Sequence, residues 1–131
     1  MTQARELRFA FVFDDHEAAL HLFRDVLGLE MLEEFHHQGG RGVILRVPSA
    51  TLEVFNPEYG QYVDEIEVGR PIASRIRIAV NVDDLAEAGR AVGAIGVAPE
   101  AEPVVTPWGD HNQRFKTGDG LQLTLFQPSK D

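Results

Sequence analysis

The sequence predicts an α+β fold made of two βαβββ modules in tandem, and two internal repeats are the main reason. The segment 8–15 (RFAFVFDD) returns as 77–84 (RIAVNVDD), and the segment 51–57 (TLEVFNP) returns in related form as 122–128 (QLTLFQP). Such self-similarity at a near-constant spacing indicates one structural unit used twice. Because bulky apolar residues recur at every second position in these segments, they predict strands with one buried face.

The first module is predicted to span residues 1–57. Alternation predicts its first strand over 6–13, and Asp14 is the expected N-cap of the helix that follows, because Glu17 stands at the capping-box spacing. The buried stripe of this helix is predicted to consist of apolar residues at helical intervals, namely Ala19, Leu22, Phe23, Val26 and Leu27. Three further strands are predicted at 29–35, 42–47 and 51–55.

Residues 58–72 are polar and acidic and contain Pro and Gly, so we interpret them as a linker. The second module, predicted over 73–131, repeats the same order of elements within one structural domain. It has a strand at 74–82, a helix capped by Asp83 or Asp84, a Pro-rich stretch with room for a short edge strand at 98–107, and strands at 111–116 and 121–126.

Composition and charge limit the possible partners. The formal net charge is −9, with 21 acidic and 12 basic residues, which argues against nucleic acid as a partner. The absence of cysteine excludes disulfides and thiolate metal sites. No apolar run reaches the length of a membrane helix, and the N-terminus has no signal-peptide pattern, so we expect a cytoplasmic protein that does not bind membranes.

Four stretches carry a resemblance to a known family, and together they span most of the chain: 24–30 (RDVLGLE), 51–55 (TLEVF), 106–109 (TPWG) and 118–123 (GDGLQL). With them, the chain resembles the vicinal-oxygen-chelate superfamily, which contains glyoxalase I, extradiol dioxygenases, fosfomycin-resistance enzymes and bleomycin-resistance proteins. The resemblance implies that the sheets of the two modules curl into a cup with the helices outside, usually within a homodimer.

The resemblance also implies where a metal ion would bind in this family, because its metal-using members place one ligand on each of four strands. The matching positions here are Arg8, Glu53, Arg77 and Thr124. Only Glu53 fits the family pattern, since a guanidinium group stays protonated and offers no lone pair to a cation. We therefore predict neither a metal ion at these positions nor a cofactor.

Strand alternation predicts a cup surface on which small residues leave room, phenylalanines form apolar walls and polar groups orient a ligand. The candidate ligand-binding residues are Arg8, Glu53, Phe55, Arg77, Asn81, Trp108, His111 and Thr124. We expect Trp108 to line or flank the cup rather than fill the core, because it lies in a loop bracketed by Pro and Gly. An alternative stays open, in which Glu53 only neutralises Arg8 or Arg77 in a buried pair. No catalytic residue can be named.

Three functions are consistent with these observations, and whether the protein is an enzyme stays open among them. The first is a metal-free protein that sequesters a small molecule in the cup. The second is a metal-dependent lyase, isomerase or dioxygenase with an altered ligand set, and the third is a non-catalytic accessory module. The acidic balance suits a cationic ligand, whereas the two arginines suit an anionic group. A homodimer is predicted from the resemblance and from Tyr59 and Tyr62, which have no obvious place in either core.

Overall fold

A computed structural model describes residues 8, 9, 11, 13–51, 53, 56–72 and 74–129. This part of the chain contains three helices and two sheets, which confirms the α+β class. The helices are α1 (His16–Leu20, continued as a π-helix over His21–Val26), α2 (Pro57–Val68) and α3 (Leu85–Ala94). The strands are β1 (Met31–His37), β2 (Gly40–Leu45), β3 (Arg77–Asn81), β4 (Ala98–Pro99), β5 (Val104–Val105), β6 (His111–Lys116) and β7 (Gln122–Gln127).

The second half of the chain forms a sheet in the order β3-β7-β6-β4, with β5 also paired to β6. The strand β3 runs parallel to β7, whereas β6 and β7 are antiparallel. In this register Thr124 lies between Ala79 of β3 and Arg114 of β6. The strands predicted at 74–82, 111–116 and 121–126 are therefore present, with shorter bounds for the first of them.

The core lies between this sheet and the helices α1 and α3. Its buried apolar members are Leu22, Leu85, Val92, Val97, Phe115, Leu123 and Leu125. Because side chains alternate along a strand, the sheet face opposite α3 carries the residues between these core positions. We call it the inner face; it includes Arg77, Arg114 and Thr124.

The helix starts follow the two Asp-Asp pairs of the repeat. In α1 the N-cap is Asp15 rather than the predicted Asp14, because the Asp15 carboxylate accepts a hydrogen bond from Ala18 N at 3.0 Å. The backbone N–H of Asp14 instead donates to Asp119 Oδ1 at 2.8 Å, which ties this segment to the β6–β7 turn. In α3 the N-cap is Asp84, one of the two predicted candidates.

The strands β1 and β2 form a hairpin of their own. Its two-residue turn has positive φ at Gln38 (49°) and Gly39 (86°), the combination that a type I′ turn requires. Every residue of β1 is exposed. The hairpin is linked to the first helix by a hydrogen bond from Arg41 to Glu17.

The segment 58–72, interpreted from the sequence as a linker, contains most of the helix α2. Its N-cap is Asn56, whose side chain accepts a hydrogen bond from Tyr59 N at 3.0 Å, and Pro57 follows in the first turn. The helix ends at Gly69, which adopts the left-handed conformation (φ 84°) that favours glycine. The division into modules 1–57 and 73–131 remains our proposal.

Two predicted strands of the first half, 6–13 and 51–55, lie partly outside the described residues. In the described part of the chain, no helix has both the length and the apolar character that crossing a membrane requires.

The π-helical turn carries an exposed ionic group. Asp25 Oδ1 accepts a hydrogen bond from Arg24 Nε at 2.7 Å, and Asp25 Oδ2 accepts one from Arg24 Nη2 at 3.2 Å and lies 3.0 Å from His21 Nδ1. These hydrogen bonds, that of Arg24 first, lower the pKa of Asp25 to about 2. Because the group is exposed to solvent, it contributes little to stability.

Candidate functional site

The candidate site is a polar network on the inner face, and Arg114 lies at its centre. The Arg114 side chain has no exposed surface. Its Nε donates to Glu67 Oε1 at 2.9 Å, and its Nη1 lies 3.0 Å from Asp64 Oδ1 and donates to Gln122 Oε1 at 3.0 Å. Two carboxylates of α2 and one amide of β7 therefore hold one guanidinium group of β6.

Glu67 extends the network across the sheet. Its Oε2 accepts from Asn112 Nδ2 at 3.0 Å, and its Oε1 accepts from Thr124 Oγ1 at 2.7 Å. Thr124 Oγ1 in turn accepts from Arg77 Nη1 at 3.0 Å. The Arg77 Nη2 donates to Glu53 Oε1 at 3.4 Å, so the network continues from a fully buried centre to an exposed carboxylate.

The charges of the buried part balance. The guanidinium groups of Arg77 and Arg114 stand against the carboxylates of Asp64 and Glu67, all of them mostly or fully buried. Burial of charge is unfavourable unless the partners are close and hydrogen-bonded. Two buried atoms of the network nevertheless have no hydrogen-bond partner, Arg114 Nη2 and Asn112 Oδ1.

Helical spacing explains why α2 can supply both carboxylates. Residues three and four positions apart share one face of a helix, and Asp64 and Glu67 are three apart. The buried residues of α2 are Val63, Asp64 and Glu67, so the face that meets the sheet is mainly acidic. On the sheet side, Asn112 and Arg114 are two positions apart in β6 and therefore lie on the same face.

The helix covers only part of the inner face. Asn112, Arg114 and Thr124 are buried beneath or beside it, whereas Ala79 and Asn81 of β3 are exposed. Arg77, with 17% of its side chain exposed, lies between the covered part and the open part. We call the exposed surface at Ala79 and Asn81 the open floor.

Three of the residues that the sequence singled out lie together. Arg77 contacts both Glu53 and Thr124, as the resemblance implies for these strand positions. Thr124 is fully buried inside the network. Asn81 belongs to the open floor and is exposed.

The other candidates lie elsewhere. His111 shares the face of β6 that carries Gln113 and Phe115, which is opposite to Arg114. Trp108 lies in the turn between β5 and β6 and is 46% exposed, so it is not in the core. Arg8 is exposed, and Phe55 lies outside the described residues.

The side chains at the family's metal positions do not fit a divalent metal ion. The guanidinium of Arg77 stands between Glu53 and Thr124, and a cationic group that donates hydrogen bonds cannot be a ligand. Across the described residues, no group of three or more His, Cys, Asp or Glu side chains could hold a metal ion.

Sequence reasoning missed the centre of the network, since Asp64, Glu67, Asn112 and Arg114 were not among its candidates. One signal was available: Asn56-Pro57 is a typical helix start and Gly69 a typical helix end. A helix between them would have placed Asp64 and Glu67 on one face. Nothing local indicated that this acidic face would be the buried one.

Fold and site together define a class: an α+β architecture with open sheets and a charged network on the inner face of the second sheet. The chain belongs to the Glyoxalase/Bleomycin resistance protein/Dioxygenase superfamily, whose family model matches residues 7–125. The resemblance seen in the sequence is therefore confirmed.

Solved structures support the same fold. The antibiotic-binding protein TnmS3 from Streptomyces sp. CB03234 is 23% identical with a TM-score of 0.60, over 98% of this chain and 99% of that chain. A lactoylglutathione lyase from Agrobacterium tumefaciens is 21% identical with a TM-score of 0.57, over 96% of this chain and 95% of that one. A superfamily member from Sphaerobacter thermophilus DSM 20745 is 24% identical with a TM-score of 0.55, over 92% and 99%. A comparison with curated protein sequences found no match.

Proposed function

We propose that the protein binds a small molecule on the inner face of its second sheet without using a metal ion. The observation that carries this proposal is the position of Arg77, whose guanidinium is held by Thr124 and Glu53 at the edge of the open floor. A charged group oriented in this way next to small exposed residues is suited to fixing a ligand. The similarity to the antibiotic-binding TnmS3 supports the fold of such a protein.

The open floor offers a direct test, because Ala79 is exposed there. We expect Ala79→Phe to weaken binding of any small molecule found in a ligand screen by about tenfold or more, since the ring fills the space where the ligand lies. Binding is measured by titration calorimetry. The matched control is Ala86→Phe, at an exposed position on α3, which should leave the affinity unchanged. Equal affinities for both variants would contradict the proposal.

A non-catalytic accessory module is the second candidate, and the cover that α2 forms over Arg114 and Thr124 favours it. In such a module the cup is filled by the protein's own side chains. The ligand screen separates the two candidates. A chemically broad screen without any binder would support the accessory module and contradict the first proposal.

We also infer that the partner of this chain is a second copy of itself. The hairpin β1–β2 is exposed along the whole of β1 and presents large apolar side chains, including Leu32 (45% exposed) and Phe35 (49% exposed). A two-stranded hairpin is marginal in water without a packing partner. The exposed Tyr59 and Tyr62, whose rings lie 5.7 Å apart, add a further apolar surface.

The expected result is a dimer at micromolar concentration that Phe35→Asp converts to a monomer, because a carboxylate in an apolar interface loses its hydration. Analytical ultracentrifugation measures the change. Val105→Asp is the control, since Val105 is an exposed apolar strand residue outside the hairpin (65% exposed) and should leave the dimer intact. A monomeric wild-type protein would rule this inference out.

A further inference from the structure

The contact between α2 and the inner face has an unusual composition. The helix buries Asp64 and Glu67, whereas its two tyrosines, Tyr59 and Tyr62, remain 46% and 45% exposed. Val63 is the one apolar residue among the buried residues of this helix. The contact is therefore held by ionic hydrogen bonds more than by apolar area, and a ligand that makes the same bonds could replace it.

The sheet side of this contact forms a receptor for a carboxylate. Arg114, Asn112 and Thr124 all donate to the Glu67 carboxylate, and Gln122 holds Arg114 from the side. All of these residues come from β6 and β7, so the paired strands fix their backbone positions independently of α2. Glu67 is the group that occupies this receptor.

The fit between Glu67 and Arg114 is incomplete. A carboxylate binds a guanidinium most strongly when its two oxygens accept from two adjacent N–H groups in a fork. Glu67 accepts from Arg114 through Nε alone, and the neighbouring Nη2 is buried without a partner. A carboxylate free of the helix could accept from both Nε and Nη2 and gain one charge-assisted hydrogen bond.

We propose that α2 is a displaceable cover and that Arg114 is the anchor for the carboxylate of a small-molecule ligand, with Glu67 as its internal competitor. This inference rests on the proposed function, because it names the ligand class for the same sheet face. The part of the ligand beyond its carboxylate lies on the open floor at Ala79. In the register of the sheet, Ala79, Thr124 and Arg114 are neighbours on adjacent strands, so one small molecule can span them.

The sequence left open whether the ligand is cationic or anionic. The receptor at Arg114 favours an anionic ligand. The excess of acidic residues includes two carboxylates that α2 places against Arg114. These carboxylates offset a receptor that is itself cationic. A ligand carboxylate takes the place of the Glu67 carboxylate at Arg114.

The test uses acetate as the probe and compares Glu67→Gln with the wild-type protein. We expect Glu67→Gln to bind acetate about tenfold or more tightly than the wild type, because the internal competitor has lost its charge. The readout is the rise in Tm with acetate relative to chloride at equal ionic strength. Glu65→Gln is the matched control, since it removes the same charge from an exposed position on the same helix and should respond like the wild type.

Further comparisons of variants and anions test the proposal. Equal responses of Glu67→Gln and Glu65→Gln would make the Glu67–Arg114 pair purely structural. A stronger response to inorganic phosphate than to acetate would contradict the carboxylate assignment. Adding Arg114→Lys to Glu67→Gln should abolish most of the gain, because lysine lacks the fork.

If Glu67→Gln does not fold, amide hydrogen exchange of the wild-type protein tests whether acetate displaces α2. Acetate should accelerate amide exchange in α2 (Pro57–Val68) and leave β7 (Gln122–Gln127) unchanged, and an unchanged α2 would refute the proposal. The acetate response should persist in Ala79→Phe, which blocks only the open floor. Loss of the acetate response would contradict the carboxylate site, whereas the absence of any binder in the ligand screen would contradict the proposed function.

Discussion

Arg114→Met should lower the free energy of unfolding by about 3–5 kcal/mol, because it leaves the buried carboxylates of Asp64 and Glu67 without their cation. Urea denaturation followed by circular dichroism measures the loss. The matched control is Arg90→Met on the exposed surface of α3, for which we expect a change within about 0.5 kcal/mol. Similar stabilities for the two variants would show that the network does not hold α2 to the sheet.

A double variant distinguishes the net contribution of the Glu67–Arg114 pair to the free energy of unfolding from the loss caused by leaving one partner unpaired. When a buried ion pair is replaced as a whole by apolar residues of similar size, the loss is often small. Arg114→Met combined with Glu67→Met should therefore be more stable than Arg114→Met alone, although Asp64 still lacks its cation in both variants. A double variant that is less stable by the sum of the two single losses would indicate that the two side chains act independently.

Leu125→Ala should cost about 3–5 kcal/mol, since Leu125 is fully buried in the core and its removal leaves a cavity against α3. Thermal and urea unfolding both report this loss. Val105→Ala provides the control, because Val105 is an apolar strand residue that stays 65% exposed, and its truncation should change the stability by less than about 0.5 kcal/mol. A small loss for Leu125→Ala would place the core elsewhere.

The two faces of the second sheet differ in composition. The face toward α3 is apolar and contributes stability through burial of Phe115, Leu123 and Leu125. The inner face is polar, and its residues are held by hydrogen bonds to Arg114 and Glu67. The first face is buried against the core, and the second carries the groups that we propose exchange an internal partner for a ligand.

Much of the fold was predictable because its signals are local. Alternation of apolar residues located β3, β6 and β7, and the Asp-Asp pairs located the helix starts, although the first cap is Asp15 rather than Asp14. The same alternation separated Leu123 and Leu125 from Thr124, and so placed Thr124 on the inner face. Each of these signals depends on neighbouring residues in the chain, whose geometry within a strand or helix is fixed.

The covered part of the site was not predictable in the same way. Glu67 and Arg114 are 47 positions apart, and nothing in either segment specifies the other. The acidic stripe of α2 follows the pattern of a solvent-exposed helix face, so periodicity alone assigns Asp64 and Glu67 to the surface. Their burial becomes favourable only when the sheet supplies a guanidinium group at hydrogen-bonding distance.

The sequence by itself determined the α+β class and the superfamily, and it predicted that Arg77, Glu53 and Thr124 lie together. These follow from repeated local patterns, which the backbone translates directly into strands and helices. Only the tertiary structure decided that α2 lies on the inner face, that Arg114 is the centre of the network and that Ala79 and Asn81 stay open. The physical reason is that burial of a charge depends on a partner brought close by folding, and no local pattern encodes that distance.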